Sequence, residues 1–332
     1  MGGTDVEQEM RYIWQVWQEG SFSKAAEKLY MTQPALSIAV KRVEAGLGAE
    51  LFDRGRHPLK LTQAGEAYIE TIRRVRYLEE ELERQIEDLR GLRTGRVRVG
   101  GTHFINCYLL AGALAEFAAV WPGVELELME ASSADLAAAL ARRELDLTFS
   151  CDPELVARFE HRPAFRDHIL LAVHEQEKLP DDLLHKALTA ADILQGVHLR
   201  EETERVSLAL FRELPFILLG PGNNLNTRGR EMFREAGFPP RIKMLVSQMV
   251  TSYRLADNGL GAAFVSDRLI RSPSSHLRFF RLEAPQAGRL FYLLRPERSY
   301  TPIAVRTFAD FAVEQIRRAD LAHGRDWGVP EE

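Results

Sequence analysis

Gln33 and Ser37 lie one helical turn apart in TQPALSIAVKRVE (32–44). A glutamine amide presented on a helix matches the N6 and N7 edge of adenine bidentately. Presenting it requires a helix with an apolar back, and Leu36, Ala39, Val40 and Val43 supply one at helical spacing. Thr32 can cap this helix, and Pro34 falls in its first turn, where the missing N–H costs nothing. Ahead of it, SFSKAAEKLYM (21–31) predicts a short helix capped by Ser21 or Ser23, with Ala25, Ala26 and Leu29 facing back. Tyr30 and Met31 leave room only for a turn. Two helices joined this tightly have helix-turn-helix geometry, which sets the N-terminal residues of the second helix at base edges in a major groove. An ordinary αα-hairpin has the same pattern, so the neighbouring segments decide between them.

Those neighbours favour a polyanion partner. ELFDRGRHPLKLT (50–62) is punctuated by Gly55 and Pro58 and anchored by Leu51, Phe52, Leu59 and Leu61, which predicts a two-stranded wing with a basic tip. Residues 21–62 hold seven Lys/Arg against four acids, a local charge of +3 within a chain of net charge −5. Contact with a polyanion is therefore expected there, with Lys41, Arg54 and Arg56 as phosphate partners. Over 63–90 one long helix is expected. Tyr68, Val75, Leu82 and Leu89 recur every seven residues with Ile72 and Ile86 in the interleaved seam, the mark of a short dimer-forming coiled coil. Upstream, Met10, Ile13, Trp14 and Trp17 make 6–19 an amphipathic helix ended by Gly20.

Beyond GLRTG (91–95) the pattern changes to alternating strand and helix. RVRVG, VELELM, LDLTF, FILLG, RIKMLV and GAAFV are the strands, with helices over 105–119, 134–143, 226–236 and 248–257 between them. Such alternation predicts parallel or mostly parallel sheets with helices on both faces, here as two α/β lobes. Residues 174–212 are charged and weakly patterned and carry no prediction.

The stretch GSFSKAAEKLYMTQPALSIAVKRVEAGLGAELFDRGRHPLKLTQAGEAY resembles the N-terminal winged helix-turn-helix of the LysR-type transcriptional regulators. The shared pattern is G-S-F, A-A-x-x-L, T-Q-P-A-L-S, E-x-x-L-G, L-F-x-R and L-T-x-A-G. LLAGALAEFAAVWPGVELELMEASSADLAAALARRELDLTF resembles, more loosely, the start of that family's effector domain. The resemblance implies a multidomain chain. An all-α winged helix-turn-helix would occupy 5–62 and a coiled-coil linker helix 63–92. An α/β two-lobed domain similar to periplasmic binding proteins would follow over 96–332. Lobe I would span about 96–165 and 268–332, and lobe II about 166–267.

The same resemblance implies a regulator that binds double-stranded promoter DNA as a dimer or tetramer through Ser23, Thr32, Gln33, Pro34, Ala35, Ser37, Ile38, Lys41, Arg54 and Arg56. One departure stands out. The family usually places Arg or another polar residue after P-A-L-S, where this chain has Ile38-Ala39; Ile38 either touches a thymine methyl or packs. The effector would sit between the lobes. In open α/β sheets ligands bind beyond the C-terminal strand ends, which puts Thr102, His103, Phe104, Ser132, Cys151, Asn224 and Gln248 at the cleft. By resemblance Thr102, Phe104, Ser132, Cys151 and Asn224 match the family's ligand-lining positions. Ser132, Asn224 and Ser247 read equally well as helix caps. An anionic or polar small molecule is expected.

Sharper chemistry finds little support. HEQEK (174–178) has Lys178 where a zinc-protease motif needs its second histidine. VGGTHF and GPGNN lack the spacing and lysine of a nucleotide cradle. No cofactor and no metal are expected, nor an enzyme, because no nucleophile, acid–base pair or ligand set emerges. Cys107 and Cys151, the two cysteines, argue for a reducing compartment. They also leave open a redox-sensing regulator of the same architecture. A cytoplasmic small-molecule-binding protein is the alternative from a different class. MGGTDVEQEM has no signal-peptide pattern and no apolar run approaches a bilayer span, so a cytoplasmic location without membrane contact is expected.

Overall fold

The structure, a computed structural model, describes residues 3–55, 59–89, 94–297 and 300–324. The chain forms two compact units divided between Ile86 and Glu87.

The first unit opens with α1 (Gly3–Glu19), α2 (Phe22–Lys28) and α3 (Gln33–Leu47). Ile13 and Val16 of α1 are fully buried against Ala25 and Ala26 of α2 and Leu36 and Val40 of α3. The paired alanines let two short helices approach closely enough to share this core. Ser21 caps α2 and Thr32 caps α3, each accepting a backbone N–H three residues on. Gly48 ends α3 in the left-handed conformation (φ 68°), as helix C-termini favour. Strands β1 (Phe52–Asp53) and β2 (Lys60–Leu61) pair antiparallel as the wing. Arg56 lies outside the described residues.

Helix α4 (Gln63–Asp88) is tied to the wing at its start. Thr62 N–H bonds Leu51 O (3.0 Å) and its hydroxyl donates to Glu50 O (2.6 Å). A Cβ on Gly65 would fall 2.0 Å from Leu51 O, so only glycine lets the helix lie this close. Ile69 and Ile72 are buried in the same core, and Arg73 and Arg76 cover the Trp17 and Trp14 rings at 5.0 and 4.9 Å. Ile72, expected in a dimer seam, thus packs within its own chain. Farther along α4, Leu78, Leu82 and Ile86 are exposed.

The second unit contains β3 (Gly95–Gly101), then α5 (His103–Ile105), a π-helical turn (Asn106–Leu110) and α6 (Ala111–Val120). Strand β4 (Val124–Glu130), α7 (Ser133–Ala141), β5 (Leu147–Ser150) and α8 (Pro153–Val156) complete this stretch. The continuous helix 103–120 is apolar and long enough, by composition, to cross a membrane, which the sequence reading did not anticipate. Its Ile105, Leu110, Ala113 and Phe117 belong instead to the protein core.

Strand β6 (Glu160–His174) leads to two short helices, α9 (Asp181–Leu184) and α10 (Ala190–Leu194). Next come β7 (Pro215–Leu219), α11 (Asn224–Glu235), β8 (Arg241–Val246), α12 (Met249–Asp257) and β9 (Ala262–Ser266). The chain ends with β10 (Leu277–Arg281), β11 (Gly288–Arg295) and α13 (Ile303–Ala322). Leu188 exchanges two 2.8 Å backbone hydrogen bonds with Phe279, so the weakly patterned 174–212 segment covers the outer edge of β10.

Two lobes share β6. Its first part, 160–168, pairs with β11 beside β5, β3 and β4; its second part pairs with β9 and β10, beside β7 and β8. The strand pairs β3–β4, β3–β5, β7–β8 and β7–β9 are parallel. Every pair involving β6 or β11 is antiparallel, because these strands carry the chain back across the lobes. The 277–281 strand, expected in lobe I, pairs with 170–174 and belongs to lobe II.

Candidate functional site

Helix α3 turns one face to solvent. Leu36, Val40 and Val43 are buried, while Thr32, Gln33, Pro34, Ala35, Ile38 and Lys41 are exposed and Ser37 is half-buried. Ile38 is 68% exposed, which excludes the packing alternative within the chain. Ser23 is exposed on α2, where Ser21 rather than Ser23 is the cap. Tyr30, in the turn, adopts φ 54° and is almost wholly exposed.

Arg54 is placed differently from the free phosphate contact expected of it. Its guanidinium donates to Glu44 Oε2 (2.8 Å) and lies 5.2 Å from the Phe22 ring centroid. The buried Glu44 carboxylate also accepts Leu51 N–H (2.9 Å). Burying a carboxylate is costly unless its oxygens are paired, and here both are. Arg54 and Glu44 therefore fasten the wing root to α3. Sequence reasoning missed Glu44, although a charge on the apolar stripe after Val40 and Val43 was the available signal.

The second site is a cavity of about 490 Å³ between the lobes. Thr102, His103, Phe104, Ser132, Cys151, Asn224 and Gln248 all line it, as do Arg289 and Phe291. Their hydrogen bonds separate them. Ser132 is committed: it accepts Asp135 N–H (3.2 Å) and donates to the Asp135 carboxylate (2.7 Å), so it caps α7. Thr102 precedes α5 and Gln248 precedes α12 without a side-chain capping bond. Asn223, not Asn224, caps α11. Asn224 Oδ1 accepts the Cys151 thiol (3.3 Å) and Arg228 Nε (2.9 Å), which leaves its amino group for a ligand. Phe104 stacks on Tyr108, and Phe291 on Phe165 at 4.6 Å, giving apolar walls.

Arg289 is, with Glu130 and Phe291, a cleft residue that sequence reasoning missed. A lone cation opening the apolar strand GRLFYLL was the only signal. It forms a two-pronged pair with Asp167, both buried. Burial alone would disfavour its charge, but the Asp167 carboxylate outweighs that and holds the guanidinium protonated. Burial also pushes the Cys151 thiol up, with Arg289 opposing, so this sulfur is a neutral donor rather than a thiolate. Cys107 is exposed and Cys151 buried, and both are free thiols.

An exposed polar helix face beside a wing, joined to a two-lobed α/β unit with a cleft, is the architecture of a ligand-responsive DNA-binding regulator. Residues 8–66 match the family model for the bacterial regulatory helix-turn-helix protein, lysR family, and residues 90–317 match the LysR substrate binding domain. The chain belongs to the LysR family of transcriptional regulators, which bind promoter DNA, respond to small-molecule effectors and form oligomers. It is 25% identical to the uncharacterized HTH-type transcriptional regulator YcgK of Bacillus subtilis, over 93% of this chain and 94% of that one. Among solved structures it resembles a full-length OxyR variant from Pseudomonas aeruginosa (TM-score 0.61, 21% identity, 92% and 96% of the two chains). It also resembles CbnR complexed with its target DNA (TM-score 0.59, 21% identity, 94% and 99%). At these identities the structural likeness concerns the fold.

Proposed function

We propose that this regulator reads a two-half-site operator with α3 and the wing of two copies, and that its effector is a small organic anion bound between the lobes. The observation that carries the second part is the set of uncommitted donors at Thr102, Asn224 and Gln248. Asn224 begins α11 and Gln248 directly precedes α12, where exposed N–H groups and the helix dipole favour negative charge. Arg289 lies beneath with its charge fixed by Asp167. The apolar walls of Phe104 and Phe291 favour an organic acid over a bare inorganic ion. A cavity of this size suits a small metabolite.

On α3, Gln33 is the base reader, Ile38 the thymine-methyl contact, and Lys41 with Arg56 of the wing meet phosphates. We assign DNA binding to 5–62, linkage to 63–92 and effector binding to 96–332. The exposed apolar stripe Leu78, Leu82 and Ile86 on α4 suits a second copy. So do the exposed apolar residues Leu128 and Met129 on β4, and Ile242, Met244 and Leu245 on β8. The protein acts by binding rather than catalysis, in the compartment that holds its DNA; the Cys151 thiol bonds an amide, not a base.

The test is a footprint of the purified chain on DNA upstream of its own gene, with and without a panel of organic acids and neutral analogues. Protection of two half-sites about one helical turn apart, or a multiple of it, is expected. At least one acid should alter it and raise the thermal midpoint. A response to neutral analogues alone would overturn the anion assignment.

A further inference from the structure

We propose that His103, Cys107 and Glu130 form a Zn²⁺ site at the rim of the cleft, with a remaining coordination position toward the cavity. His103 Nδ1 lies 3.2 Å from Glu130 Oε2 and 3.8 Å from Cys107 Sγ. The three donor atoms all fall within 4.8 Å of one another. With Zn–N and Zn–O near 2.0–2.1 Å and Zn–S near 2.3 Å, ligand atoms at tetrahedral angles lie roughly 3.3–3.7 Å apart. The His103–Glu130 spacing already fits, while Cys107 Sγ, 3.8 Å from both His103 ring nitrogens, must turn toward Nδ1 for the three to close on one ion.

The backbone is already built for it. His103 and Cys107 are separated by four residues on one helix, so their side chains share a face. Glu130 comes from the end of β4, and Asn106 ties that end to the helix. The Asn106 amide donates to Gly101 O (3.0 Å) and to Met129 O (3.3 Å), one residue before Glu130. A Cβ on Gly101 would fall 2.1 Å from Asn106 Oδ1, so the glycine makes room for this clamp. Cys107 also falls within the π-helical turn, a rare distortion that recurs at functional sites.

Donor chemistry selects the ion. One thiolate, one imidazole and one carboxylate suit Zn²⁺ and reject Mg²⁺ and Ca²⁺, which prefer oxygen. Binding releases the Cys107 thiol proton to solvent and exchanges the His103 Nδ1–Glu130 hydrogen bond for metal bonds, the imidazole ligating through Nδ1 as the tautomer that keeps its proton on Nε2. His103 and Glu130 both line the effector cavity, whereas Cys107 does not. The fourth ligand is therefore water or an anionic group from the cleft.

Titration of the untagged, metal-stripped full-length chain with Co²⁺ alone tests this, followed by Zn²⁺ displacement against a chromophoric chelator. One equivalent per chain should bind and give a thiolate-to-cobalt charge-transfer band that Zn²⁺ abolishes. Cys107→Ala should remove the band, and Glu130→Gln should weaken Zn²⁺ binding by about tenfold or more. His103→Gln provides a second ligand variant, with circular dichroism confirming the fold of each. His168→Ala, which alters the other cluster of suitable donors among the described residues (His168, His198 and Asp267), should change nothing. Absence of saturable binding, or a band that survives Cys107→Ala, overturns the site. Neither DNA nor effector enters the measurement, so its outcome is separate from that of the effector assignment.

Discussion

Glu44 on α3 and Arg54 at the root of the wing lie 2.8 Å apart, with Glu44 buried and Arg54 stacked against Phe22. The pair makes α3 and the root of the wing one rigid piece. Arg54→Ala leaves a buried carboxylate with Leu51 N–H alone and should destabilise the first unit by about 1–2 kcal/mol in urea unfolding. DNA affinity should fall through disorder of the wing, with little change in salt dependence. A salt slope shallower by about one would instead make Arg54 a phosphate contact.

Gln33 is exposed at the first turn of α3. Gln33→Ala should cost roughly 1–3 kcal/mol of discrimination at one position per half-site and leave random-sequence binding nearly unchanged. Selection of operator variants with the mutant reads this directly. Equal loss on all sequences would reassign Gln33 to the backbone.

Leu82 is 58% exposed and lies outside the hydrophobic core of the first unit. Leu82→Glu would bury a carboxylate wherever two copies pack along α4. The variant should sediment as a smaller species and lose operator affinity. Retention of the dimer would place the contact on the β4 and β8 edges.

Thr102→Val keeps the side-chain volume and removes a hydroxyl that caps nothing. It should abolish the effector-dependent change in footprint while leaving DNA binding of the free protein intact. Unchanged effector affinity in calorimetry would take Thr102 out of the site.

Cys151 should resist alkylation. Burial raises its pKa, which means a smaller thiolate fraction than an ordinary cysteine near neutrality, and its reaction should accelerate at higher pH than that of an ordinary thiol. Exposed Cys107 should react first. Mass spectrometry of partially labelled chains distinguishes the two, and faster labelling of Cys151 would restore a redox role.

The local patterns carried far into the structure. Period-3.6 stripes and caps located α1 to α3, and alternating strand and helix located β3 to β5 and β7 to β9, because each is set by its own residues. What escaped was long-range. Strand β6, at EHRPAFRDHILLAVH, mixes charge with apolar residues because its two parts lie in different sheets, so it has no single period. The buried pairs Glu44–Arg54 and Asp167–Arg289 join residues 10 and 122 positions apart, and no spacing rule connects such partners. Ile72 satisfied the heptad pattern yet served the core of its own chain, since one helix face can meet two different partners along its length.

The sharing of β6 between the sheets also fixes how the cleft can move. Hydrogen-bonded registers hold Phe165 opposite Phe291 on one side and Leu170 opposite Val265 on the other. The lobes are joined by this strand and by the return of the chain over 282–287, a flexure and not a swivel: a ladder bends and twists but does not slide. The change of partner falls between His168 and Ile169, where a small rotation would become a larger displacement at the far ends of both lobes. An effector that closes the cleft would work against that ladder, so its affinity and the amplitude of closure should vary together. Substitutions along the shared strand, remote from any ligand atom, should tune both together.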